Sequence, residues 1–203
     1  MDLVEQKVLL DHLLGVGDDT PRMVRPSPVQ ATIVSRLRSG DRSAAHELVD
    51  QYYERIFLYL RELGHNRHAS EDLTQEAFLR AWKYLGQLKD ERALNAWLYR
   101  IASNVSCEYW RKHKRRENAT RQKMALQVNA PQEFEPQCAG SYEQFEQLQE
   151  AIMSLSWKLR QAVVLHYVQE FTIADAATVA GVKDGTFKSR LNRALGMLRK
   201  EMK

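Results

Sequence analysis

Ala44, Leu48, Tyr52, Ile56 and Leu60 recur at steps of four, which places them on one face of a helix. A second apolar stripe follows in Leu73, Ala77, Phe78, Ala81, Trp82 and Leu85, with Ser70 as its expected N-cap. A third, Leu94, Trp97, Leu98, Ile101 and Val105, runs into a basic block. Little interrupts these periods, since the 203 residues include only 9 Gly and 5 Pro. No alternating β-branched run, hairpin dipeptide or internal repeat competes with the helical period. The expected fold is all-α, in two small helical domains.

Four parts follow along the chain. Residues 1–30 hold a short amphipathic stretch (Leu3, Val8, Leu10, Leu13, Leu14), then Gly15, Gly17 and Pro21, Pro26 and Pro28, an expected extended arm. That arm could be disordered, cover a basic surface or help bind a regulator. Residues 31–116 read as helices throughout. Residues 117–141 lose the period and contain Pro131, Pro136 and Gly140, so they read as a flexible linker. Residues 142–203 resume with short helices near 145–155, 158–169, 173–180 and from 185 onward.

The formal charge of +4 conceals segregation. Arg111, Lys112, Lys114, Arg115, Arg116, Arg121 and Lys123 face one acid, Glu117. The connector and the helix after it carry Glu133, Glu135, Glu143, Glu146 and Glu150 without a single cation between 131 and 150. The tail from Lys183 returns to seven cations against Asp184 and Glu201. Two basic blocks around an acidic stretch suggest two polyanion-binding units joined by a connector, although each run alone also fits a solvated helix face. No stretch approaches the ~20 apolar residues of a membrane span. The acidic start lacks the features of a secretory signal, and Cys107 and Cys138 are too few and too far apart for a disulfide scaffold. A soluble protein of a reducing, cytoplasmic compartment is expected. An enzyme is not: His65 and His68 lack a third soft ligand and read as a surface loop, and no phosphate loop or nucleophile triad is present. No cofactor and no metal are expected.

The most informative local pattern spans Phe171 to Met197. Thr172 can cap a helix carrying Ile173, Ala176, Ala177 and Ala180; Gly181 can end it with positive φ, and Val182 can plug the turn. A second helix follows with Phe187, Leu191, Ala194, Leu195 and Leu198 on one side and Lys188, Ser189, Asn192 and Arg193 on the other. This is helix-turn-helix patterning, with side chains suited to base edges and with Arg190 and Lys183 suited to phosphates. A plain helical hairpin with a wet basic face has the same composition.

Three segments in order carry a family resemblance. Glu71-Asp72-Leu73-Thr74-Gln75-Glu76-Ala77-Phe78-Leu79-Arg80-Ala81-Trp82 resembles the core-polymerase-binding helix of extracytoplasmic-function (ECF) sigma factors, group IV of the bacterial sigma-70 family. Ala96-Trp97-Leu98-Tyr99-Arg100-Ile101-Ala102-Ser103-Asn104 resembles their promoter-melting segment, and Gly185-Thr186-Phe187-Lys188-Ser189-Arg190-Leu191 their recognition helix. The resemblance covers residues 31–116 (region 2) and 142–203 (region 4).

It implies a transcription initiation factor whose partners are core RNA polymerase (β′ clamp and β flap), double-stranded and melted promoter DNA, and an anti-sigma factor. By resemblance, Asp72, Gln75, Glu76 and Leu79 bind core polymerase. Asn104 holds a flipped base of the minus-ten strand in a pocket completed by residues 86–93, while Arg100, Arg111, Lys112, Lys114 and Arg115 hold its phosphates. Lys188, Ser189, Arg190, Asn192 and Arg193 read the minus-thirty-five element. Trp97 falls on the apolar stripe, and Tyr109 and Trp110 could contact DNA. Two departures stand out: Leu155-Ser156 where the family often has Leu-Pro, and Asp175-Ala176-Ala177 where it usually has Glu-Ile-Ala, a smaller contact for Phe171 and Phe187 to offset. Two other functions fit less of the chain. A stand-alone helix-turn-helix regulator leaves Asp72, Glu76 and Asn104 unused, and a sigma-like interaction protein leaves the basic faces unused.

Overall fold

The computed structural model describes residues 28–123 and 143–201, with side chains described for 33–115 and 147–201. Every regular element among them is helical: α1 (Pro28–Arg38), α2 (Arg42–Glu62), α3 (Arg67–Tyr84), α4 (Leu94–Lys123), α5 (Glu143–Ser154), α6 (Trp157–Val163), α7 (Ile173–Ala180) and α8 (Asp184–Glu201). Short 3-10 turns, Leu85–Gln87 and Glu91–Ala93, link α3 to α4, and a π-helical turn, Val164–Val168, extends α6. The chain is therefore all-α. Helix α1 starts inside the stretch read as an arm, and α4 continues into the stretch read as a linker. The amphipathic candidate at 3–14, the prolines of the linker and Cys138 lie outside the described residues.

Side-chain caps decide where the helices begin. Asp41 accepts from the Ser43 N–H at 2.8 Å and opens α2. Asn66 accepts from the Ala69 N–H at 2.8 Å and opens α3. This corrects the expectation for Ser70. Asn caps as well as Ser, so the helix starts one turn earlier, at Arg67, and Ser70 is fully buried inside it.

The α2 stripe is the spine of the N-terminal domain: Ala44, Leu48, Tyr52, Ile56 and Leu60 are all buried. Against it lie Leu73, Ala77 and Ala81 of α3 and Leu94, Leu98, Tyr99, Ala102 and Val105 of α4. Phe78 is half-buried and stacks on Tyr53 at 6.3 Å. Trp82 departs from the expected stripe and is 56% exposed. At 3.6 residues per turn it sits about half a turn from Leu73, outside the buried strip. In the C-terminal domain, Leu148, Leu155, Leu159 and Val163 close over Phe187, Leu191, Ala194 and Leu198, all buried.

The two domains share an interface. Helix α7 packs on α4; its small Ala176 and Ala177 are buried, and Phe171 meets the Tyr99 ring edge-on at 4.9 Å. Polar bonds fix the register. Tyr99 Oη donates to Gln169 Oε1 at 2.5 Å, and Gln169 Nε2 donates to Glu62 at 3.1 Å. Trp157 Nε1 donates to Ser106 Oγ at 3.2 Å, and Arg160 Nη1 donates to the Leu63 carbonyl at 2.9 Å. Gly64 has φ +94°, and a Cβ there would collide with the Arg160 guanidinium, so a left-handed turn and a close approach both require glycine.

That turn swings His65 inward. The surface loop expected for it is incorrect: His65 is 3% exposed, its Nε2 lies 2.7 Å from Ser106 Oγ, and its ring is flanked by Tyr109 and Trp110. His68 remains exposed. Burial, and secondarily the nearby Arg160 cation, lowers the His65 pKa from 6.5 to about 4. The folded state thus favours neutral imidazole, and the unfolded chain takes up the proton first as the pH falls. Stability from this site is complete above pH 6.5 and declines toward pH 4, by up to about 3 kcal/mol. Urea unfolding at pH 7 and pH 5 measures the decline, and His65→Gln is expected to shrink it.

Candidate nucleic-acid interface

Helix α3 presents Asp72, Gln75 and Leu79 outward, Leu79 at 67% exposure. Trp82 extends the same row by another turn, placing two large apolar side chains beside carboxylate and amide groups. Because α3 begins at Arg67, no acid lies in its first turn, and the N-terminal dipole does little for Asp72. Glu71 has a local partner, Arg67 at 3.1 Å. Glu76 is half-buried and is held by Arg80, whose Nε donates to it at 2.7 Å. The expected polymerase-binding row is therefore brought together, with Glu76 already engaged.

Helix α4 divides by angle. Arg100, Asn104, Arg111 and Arg115 are exposed and fall within about 60° of arc. Lys112 and Lys114, also exposed, flank that strip on opposite sides. The face docked to the C-terminal helices, with Tyr99 and Ser106, lies roughly on the far side of α4. Docking therefore leaves the cationic strip open.

Beside Asn104 is a cavity of about 200 Å³, lined by Arg80 and Tyr84 of α3 and Ile101, Asn104, Cys107, Glu108 and Arg111 of α4. None of residues 86–93, expected to complete the Asn104 pocket, lines it. Asn104 meets this cavity on its α3 side. Arg80 is the tie across it: Nη1 and Nη2 donate to the two oxygens of Glu108 at 3.0 and 2.8 Å. Those bonds, led by Glu108, raise the Arg80 pKa, and the Arg80 bond lowers that of Glu108, with Arg111 and Lys112 adding to the effect. Trp97 is half-buried against the core, and Tyr109 and Trp110 pack on His65.

The C-terminal pattern folds as a helix-turn-helix. Thr172 Oγ1 accepts from the Asp175 N–H at 3.1 Å and caps α7. Gly181 ends the helix at φ 65°, ψ 37°, and the Val182 N–H reaches the Ala177 carbonyl at 3.0 Å. On α8, Lys188, Ser189, Asn192 and Arg193 are exposed and Arg190 is half-buried. The Ser189 hydroxyl donates back to the Gly185 carbonyl at 2.9 Å.

Known proteins resemble both halves. The family description sigma-70 region 2 matches residues 48–116, and sigma-70 region 4 matches residues 145–198. The ECF RNA polymerase sigma factor SigW of Bacillus subtilis is 31% identical over 178 residues, covering 84% of this chain and 95% of that protein. The chain belongs to the ECF sigma factors. The RNA polymerase sigma-H factor of Pseudomonas aeruginosa is 30% identical over 169 residues, covering 80% of this chain and 88% of that protein. Two solved structures share the fold. The sigma factor RpoE, in complex with the anti-sigma factor NepR from Bartonella quintana, gives a TM-score of 0.60 at 23% identity, over 77% of this chain and 94% of that one. CnrH, in complex with the cytosolic domain of CnrY, gives 0.62 at 21% identity, over 84% and 95%.

In this ECF sigma factor, region 2 covers most of α2, all of α3 and most of α4, while region 4 covers α5 to α8. Arg80, Trp82 and Glu108 are the site residues that sequence reasoning missed. The Glu76–Arg80 spacing was visible as an i, i+4 pair, whereas nothing local joins Arg80 to Glu108, 28 residues on. Gly181 offers a test of the turn. A Cβ there meets nothing within 4 Å, so Gly181→Ala is expected to cost ~1–2 kcal/mol through backbone strain alone. Urea unfolding of the variant measures it.

Proposed function

We propose that this chain directs core RNA polymerase to specific promoters and opens them, as an ECF sigma factor in a stress or envelope response. The observation that carries the reading is that both family regions are folded with most of their assigned contact residues exposed, Glu76 and Arg190 being half-buried. Asp72, Gln75, Glu76 and Leu79, extended by Trp82, take the β′ clamp: carboxylates meet a basic partner and the apolar pair gives it area to bury. Region 4 reaches the minus-thirty-five element beside the β flap. Lys188, Asn192 and Arg193 face base edges, with Arg190 on phosphate and Ser189 available as an acceptor. On α4, Arg100, Arg111, Lys112, Lys114 and Arg115 hold the phosphates of the separated strand, and Asn104 hydrogen-bonds an unstacked base. Unstacking costs a few kcal/mol, which base-edge bonds and stacking in the cavity return. The chain has no chemistry of its own, and the polymerase makes the bonds. It works in the cytoplasm, and no helix among the described residues is long and apolar enough to cross a membrane.

Regulation by an anti-sigma factor fits the docked interface. The two promoter elements lie some 25 base pairs apart, about 85 Å of B-DNA. Two touching domains with radii of gyration near 12 Å do not span that distance. Promoter reading thus requires the docked domains to separate, and a partner that binds them together blocks it.

Run-off transcription with core bacterial polymerase on a genomic promoter library tests the reading: transcripts starting downstream of one shared two-block motif are expected. Stable polymerase binding without specific transcripts would favour the interaction-protein alternative. Asn104→Ala is expected to reduce open-complex formation, read by permanganate footprinting, while polymerase affinity is retained. Arg193→Ala is expected to cost ~1–3 kcal/mol in promoter discrimination; a loss equal over all sequences would make it a phosphate contact.

A further inference from the structure

Arg80 stands between two surfaces with different tasks. One carboxylate it holds, Glu76, belongs to the polymerase-facing row. The other, Glu108, lines the cavity one helical turn beyond Asn104. Arginine suits this position because its planar fork can give Nε to one carboxylate and both terminal nitrogens to another.

The consequence lies in what Glu108 would do without that fork. On α4 it is three residues from Arg111 and four from Lys112, the spacings at which helical side chains pair. Both cations already act on its carboxyl, and neither forms an ion pair among the described residues. Released, Glu108 would pair with them and withdraw two cations from the strip beside Asn104. It would also leave a bare carboxylate in a cavity that must admit a polyanion. Held by Arg80, it does neither.

We propose that Arg80 is a positioning residue for capture of the melted strand: by sequestering Glu108 it keeps Arg111 and Lys112 free for phosphate and the cavity beside Asn104 free of bare negative charge. Arg80 acts through Glu108, so removing the Glu108 charge relieves the need for Arg80. The assignment rests on the function proposed above.

The test uses holoenzyme formed from core bacterial polymerase and the full chain. The probe is a fluorescein-labelled fork-junction DNA, its single-stranded segment chosen by the wild-type holoenzyme from a randomised pool. Anisotropy titrations across a salt series read affinity and salt slope. Arg80→Gln is expected to weaken fork binding about tenfold or more and to flatten the salt slope by roughly one to two units, as loss of two phosphate contacts would. Affinity for core polymerase is measured in parallel, because Arg80→Gln also frees Glu76, and fork binding is compared at equal holoenzyme occupancy. Arg80→Gln combined with Glu108→Gln is expected to recover both affinity and slope. Failure of the double variant to recover would make Arg80 a structural tie and overturn the proposal, as would wild-type fork binding by Arg80→Gln alone. Should Arg80→Gln not fold, Arg80→Lys with and without Glu108→Gln reads the same rescue, because lysine keeps the charge but not the fork. A wild-type holoenzyme that selects no fork DNA would instead overturn the functional reading, and this assignment with it.

Discussion

A helix that turns about 100° per residue can meet three neighbours only if its sequence keeps three separate angular accounts. Helix α4 does this over 30 residues. Leu98, Ala102 and Val105 fill the core with α2 and α3, while Tyr99 and Ser106 meet the C-terminal helices. Arg100, Asn104 and Arg111 are left for solvent and ligand. Much of the domain interface and most of the candidate melting surface use this one rod, while the end of α2 (Glu62, Leu63) adds bonds to Gln169 and Arg160 and α3 lends Arg80 and Tyr84 to the cavity. Because two of its sides are packed, the third is held at a fixed angle to the polymerase-facing row on α3.

Charge placement follows the same division. Among the described residues the cations on the open strip of α4 form no ion pair, whereas the acids near them are engaged: Glu76 and Glu108 both close on Arg80. Individually, such half-exposed ion pairs add little to stability. Their effect is on where negative charge is absent, which governs affinity for a polyanion more than folding does.

The domain interface has a different chemistry. It combines aromatic packing, Tyr99 against Phe171, with a few part-buried polar bonds whose loss would leave groups unpaired. His65 sits at its edge as neutral imidazole, and Arg160 lies beside it with its guanidinium spread over the Leu63, Leu155 and Ile152 carbonyls. Such an interface mixes aromatic packing with polar bonds, and domains within one chain that meet this way can dock and separate.

Periodicity alone determined much of this. The α2 spine, the buried face of α8, the Thr172 cap and the Gly181 turn are local patterns, and each depends on residues within one or two helical turns. The candidate rows on α3, α4 and α8 were legible for the same reason: a side chain's direction on a helix follows from its number. Tertiary structure decided what depends on partners far along the chain. It buried His65, because Gly64 turns the backbone toward Ser106 and Arg160. It left Trp82 outside, because α2 and α4 cover a narrower arc of α3 than its apolar residues span. It also joined Arg80 to Glu108, since an ion pair between helices is set by how the helices pack and leaves no period in the sequence.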